Sequence, residues 1–156
     1  MQSSANAFLA SAAIALSASG AAAQADETTA RNTWIAFECA VYADFIGDEA
    51  LSTALFERGL RDGRAFLQAL DDPAQDVAAL TADAPVGLTR VLDGPNEEFI
   101  LGRMFAASED YAMDRVIERG LDLSFLDLSD RVFNSERQAE KAAILYERAD
   151  CSRMEN

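Results

Sequence analysis

The chain has 156 residues, half of them apolar, and carries 27 acidic against 13 basic side chains, a formal net charge of -14. That length and composition allow one domain with a real hydrophobic core and argue against a disordered chain. The acidity sets it against nucleic acid and anionic membrane surfaces, and the absence of histidine excludes Ser-His and Cys-His nucleophilic pairs, the HExxH zinc helix and histidine general bases.

Residues 1–25, "MQSSANAFLASAAIALSASGAAAQA", hold no charged side chain, and charge begins abruptly at Asp26 and Glu27. An apolar run from Ala7 to Ala18 followed by small residues is the layout of a secretory signal peptide, with cleavage expected after Ala25. The Ala/Ser-rich stretch is a poor hydrocarbon span, so no stable membrane anchor is expected once it is removed. The expected mature domain is 26–156, acidic and exported to the bacterial periplasm or the extracellular space.

Helical periodicity dominates the rest. A first helix is expected over 28–46, where Trp34, Phe37, Val41 and Phe45 recur at three and four, and Gly47 stops it. Glu38 falls inside that apolar arc. An unpaired carboxylate there is costly, so a partner is expected: Arg103 first, Arg64 second. Facing an arginine inside a bundle, such an acid either fixes helix register or lines a pocket for a small polar ligand.

Asp48 is placed to cap a second helix reaching about Leu70. Its apolar arc includes Gly59 and Gly63, and since a helical Gly costs about 1 kcal/mol against Ala, two of them there point to the close approach of another backbone. Arg58, Arg61 and Arg64 fall on the opposite arc, where Asp62 and Glu57 can pair with the first two at four-residue spacing. That is a solvated face rather than an anion site. Arg64 has no local partner and is the candidate for a carboxylate elsewhere in the fold or on a ligand.

"DDP" offers Asp72 as N-cap and Pro73 at the first position of a short third helix that ends before Pro85. Residues 84–95 read as a connector with one helical turn. A fourth helix is expected over 96–119, apolar on two sides and so placed in the middle of a bundle. After Gly120, "LDLSFLDLSD" carries Leu121, Leu123, Phe125, Leu126 and Leu128, more apolar side chains than a short irregular segment usually buries, and is the candidate interaction patch. Ser135 and Gln138 can box the start of a last helix reaching Ala149.

Cys39 and Cys151 are expected to form one disulfide, worth about 4–5 kcal/mol for a loop of that size in the chain-entropy account. With the thiols paired, no thiolate nucleophile or thiolate zinc site remains, and no P-loop, dinucleotide fingerprint or calcium-loop spacing occurs. No catalytic residue, metal site or cofactor is assigned. The reading is an all-α single domain of about five helices closed by one disulfide. It is expected to work as a non-enzymatic binding, inhibitor or chaperone-like module with a protein partner in the cell envelope. The alternative is a cell-wall glycan hydrolase working with two carboxylates.

Overall fold

Helix α1 (Thr29–Ile46) and helix α2 (Glu49–Asp71) form an antiparallel hairpin in the computed structural model, which describes residues 29–117 and 135–155. Gly47 makes the turn at φ 89°, a conformation that disfavours side chains. The Asp48 carboxylate then accepts the Leu51 N–H at 3.0 Å, capping α2. The signal-peptide segment and the 121–128 patch lie outside the described residues.

The central helix is α1. Every residue from Ala36 to Ala43 is buried, because Ala36, Ala40 and Ala43 are small enough for neighbours to pack on all sides. The expectation that the fourth helix would hold the middle is corrected: helix α5 (Glu97–Ile117) buries a single stripe, Leu101, Met104, Ser108, Ala112 and Val116. Asn96 caps it, accepting the Phe99 N–H at 2.9 Å, and Pro95 stands outside.

Helix α2 runs unbroken through both glycines, and both are tightly covered. Side chains do the covering, where a backbone was expected. A Cβ on Gly59 would clash with the Phe37 ring, and one on Gly63 would lie 2.6 Å from Leu101 Cδ2 and 3.2 Å from Thr33 Cγ2. Phe37, Phe56 and Phe105 meet there with ring centroids 5.0–5.8 Å apart. Phe56 and Phe105 touch both halves of the core, one around Tyr42, Leu55 and Leu145, the other around Trp34, Phe66 and Leu88.

Asp72 does not start a helix. Its carboxylate accepts the Ala74 N–H at 2.9 Å in a turn, and the next helix, α3 (Val77–Thr81), is capped instead by Asp76. Helix α4 (Val86–Thr89) is the expected single turn in the connector, and helix α6 (Ser135–Arg148) is the last α-helix. Asp150 then takes a left-handed conformation, φ 57°, and swings a 3₁₀ turn (Cys151–Met154) back onto α1. There Cys151 joins Cys39 in a disulfide with Cα atoms 5.7 Å apart, both residues fully buried. Arg58 donates to the Met154 carbonyl at 3.1 Å and the Tyr146 hydroxyl to Glu155 at 2.8 Å, so the C-terminal turn is held at three points. Among the described residues no helix is long and apolar enough to cross a membrane.

Candidate functional site

Glu38 is buried, at 5% exposure, and its guanidinium partner is Arg115 rather than Arg103 or Arg64. Glu38 Oε1 accepts from Arg115 Nη1 at 3.0 Å and from the Tyr42 hydroxyl, one turn further along α1, at 2.7 Å. Burial pushes the Tyr42 hydroxyl far above the ordinary tyrosine value, and its hydrogen bond to Glu38 adds to the shift.

The register explains why Arg115 wins. Trp34 meets Tyr111 edge-on with centroids 5.7 Å apart, and four residues later on each helix Glu38 meets Arg115. Both pairs advance together, so α1 and α5 run in the same direction along this seam. Arg103 lies twelve residues before Arg115 in the chain. That is about 18 Å back along the helix and about a third of a turn around it. Its guanidinium bonds the Asp93 carbonyl and lies 5.8 Å from the Phe99 ring centroid. Arg64 does find a distant carboxylate, as its lack of a local partner suggested, but the acids are Glu98 at 2.9 Å and Glu97 at 3.4 Å in the first turn of α5. Asp62 pairs with Arg58 at 3.3 Å, whereas among the described residues Glu57 and Arg61 do not close to ion-pair distance.

Beside the Glu38–Arg115 pair runs an open groove of about 610 Å³. One wall is Arg31, Trp34, Ile35 and Glu38 of α1, the facing wall Ala107, Asp110, Tyr111 and Asp114 of α5, each a stripe at helical spacing. The end is closed by Asp83, Pro85, Val86 and Gly87 at the start of α4. Gly87 is needed there, since a Cβ would sit 2.5 Å from Trp34 Cη2. Val86 is 63% exposed and Tyr111 45%, so two apolar shoulders of the groove face solvent. Arg115 stacks on the outer ring, its guanidinium carbon 5.4 Å from the Tyr111 centroid.

The sequence reading placed Glu38 in one apolar arc with Trp34 but missed Tyr111 and the α4 turn as its surroundings. The four-residue repeats Trp34–Glu38 and Tyr111–Arg115 were the available signal, though only the helix register shows that they match. A second, smaller hollow of about 340 Å³ lies on another side of α1, among Phe45, Phe56, Phe105 and Met113. No cluster of His, Cys, Asp or Glu among the described residues is placed to hold a metal ion. Compared with models of known protein families, with curated proteins and with solved structures, the chain matches none of them.

Proposed function

We propose that the mature chain is an exported, non-enzymatic binding module, of the inhibitor or chaperone-like kind, that engages a protein partner of the cell envelope. The uncharged leader supports export, and the disulfide suits an oxidising compartment. The observation that carries the reading is the groove between α1, α4 and α5, with exposed apolar shoulders at Val86 and Tyr111 and a locked base. Glu38, the acid buried at that base, is held by both Arg115 and Tyr42, which fixes the wall.

The test is retention from envelope extract on the immobilised, oxidised protein, compared with the variant Val86→Ser/Tyr111→Ser. One protein retained in stoichiometric amount by the wild type and lost by the variant supports the reading. Solubilisation of peptidoglycan by the purified chain, abolished by replacing one acid, would overturn it in favour of the hydrolase.

A further inference from the structure

We propose that the smaller hollow, between α1, α2 and α5, is a second binding site, for a small organic cation that carries an ammonium group on an aromatic body. The inference stands apart from the partner reading, because the hollow and the groove share no lining residue.

Shape is the first support. The hollow measures about 340 Å³, and its apolar wall is Val41 and Phe45 of α1, Phe56 of α2, and Phe105 and Met113 of α5. That is the size of a site for a small molecule. Phe56 and Phe105 meet edge to face at 84° with centroids 5.0 Å apart, and the fully buried Phe37 packs against both. Val41 is buried and the other four are half-buried, so the apolar surface lies inside the hollow and none of it stands out as a shoulder. Such a wall receives an inserted ring, and the unbranched thioether side chain of Met113 can adapt to one.

Charge is the second. Phe105, Glu109 and Met113 follow one another at four-residue spacing on α5, so a carboxylate shares one face with two apolar neighbours that turn into the hollow. Asp44 lines the α1 side, next to Phe45. Among the described residues neither acid closes a hydrogen bond or ion pair with another side chain, and no basic residue lines the hollow. Arg58, two residues beyond Phe56 on α2, is held by Asp62 and the Met154 carbonyl. Two uncompensated carboxylates give the hollow a negative sign, which the overall charge of -14 reinforces at longer range. An ammonium group is drawn to them and a carboxylate is repelled. Ser52 and Thr53 at the α2 edge offer hydroxyl oxygens for its remaining N–H groups.

The two features select together. An inorganic cation would leave the phenylalanine wall wet, and a neutral arene would make no use of the acids. The larger groove does not choose by charge: Glu38 and Asp83 face Arg115 and Arg31, and Asp110 and Asp114 are themselves engaged.

The probe is 2-phenylethylamine, added to the oxidised, isotopically labelled protein at pH 7, where the amine is protonated, and followed through amide chemical shifts. Three comparison compounds separate its parts: 2-phenylethanol lacks the charge, 3-phenylpropionate reverses it, and ethylamine lacks the ring. We expect saturable shifts around Phe45, Phe56, Glu109 and Met113 with a Kd of about 1 mM, weakened by added salt, and binding about tenfold weaker or worse for each comparison compound.

Glu109→Gln should weaken binding about three- to tenfold and the exposed Asp44→Asn about two- to fivefold. Glu140→Gln removes the same charge from the exposed surface of α6, which contributes nothing to the hollow, and should leave binding unchanged. Ser52→Phe, on the half-exposed α2 wall, fills the space and should abolish binding while the thermal unfolding curve confirms a folded chain. No saturable shift, shifts centred away from the hollow, equal binding of the alcohol or the carboxylate, or an equal effect of Glu140→Gln and Glu109→Gln would overturn the proposal. A blocked Phe-Lys dipeptide binding more than about tenfold tighter than the amine would overturn it too, in favour of a peptide site.

Discussion

Replacing Arg115 by methionine would leave Glu38 in place with the Tyr42 hydroxyl as its remaining partner among the bonds described above. Removing one member of a fully buried pair costs about 3–5 kcal/mol, and breaking an exposed one about 0.2–1 kcal/mol. The Glu38 side chain is 7% exposed and that of Arg115 36%, so water from the groove reaches one partner and not the other. A loss of about 2 kcal/mol follows, or a fall in melting temperature of about 6–10 °C for a domain of this size. Glu38→Gln in the same background removes the stranded charge while keeping an oxygen to accept from Tyr42. The double variant should therefore recover at least half of the loss. Urea unfolding of the oxidised protein, followed by circular dichroism, measures all three chains at constant m-value. If Arg115→Met lies within about 0.5 kcal/mol of wild type, or Glu38→Gln/Arg115→Met is no more stable than Arg115→Met alone, the pair does not hold this seam.

Two glycines on different faces should respond oppositely to alanine. Gly59→Ala drives a methyl into the Phe37 ring and should cost about 1–3 kcal/mol, whereas Gly102→Ala meets nothing within 4 Å and should gain up to about 1 kcal/mol; chemical denaturation reads both signs. Opening the Cys39–Cys151 link by replacing both residues with alanine should lower stability by about 4 kcal/mol, and the unreduced wild type should show no alkylatable thiol by mass. Tyr42 and Tyr146 both have hydroxyls raised above the ordinary value of 10.0, by burial first and then by their hydrogen bonds to Glu38 and Glu155. Because the folded state holds those protons more tightly than the unfolded one, their contribution is fully present below about pH 10 and is lost as pH rises beyond it. Tyrosinate absorbance for these two residues should appear together with unfolding; ionisation of both near pH 10 in the folded protein would contradict the burial argument.

Much of this fold was legible because its signals are local. Asp48 and Gly47 mark a turn through capping and a left-handed φ, and they set where α1 ends and α2 begins. Burial of Glu38 was legible from its place in the apolar arc. Its partner was not, since choosing among arginines requires the relative shift of two helices, which no single helix encodes. Alanine explains the other main miss. A reading weighted toward large apolar residues gave the centre to α5, while α1 is central because its small residues admit neighbours on every side. At Asp72 two local rules competed, and the carboxylate closed a turn onto Ala74 before a helix could begin. The groove itself joins α1 to α4 and α5, far along the chain, so its aromatic pair had no signature beyond the four-residue repeats on the two long helices.

The location of partner binding is tested most directly by photocrosslinking in the native host, with a benzophenone amino acid placed either at Val86 or at Ile144. Both positions are exposed apolar sites, Val86 on the groove and Ile144 on α6, which contributes no residue to it. A discrete crosslinked adduct from position 86, absent from position 144, is the result expected of a partner held in the groove. Adducts from position 144 alone, or no adduct from position 86 in cells making the protein at its normal level, would contradict the account.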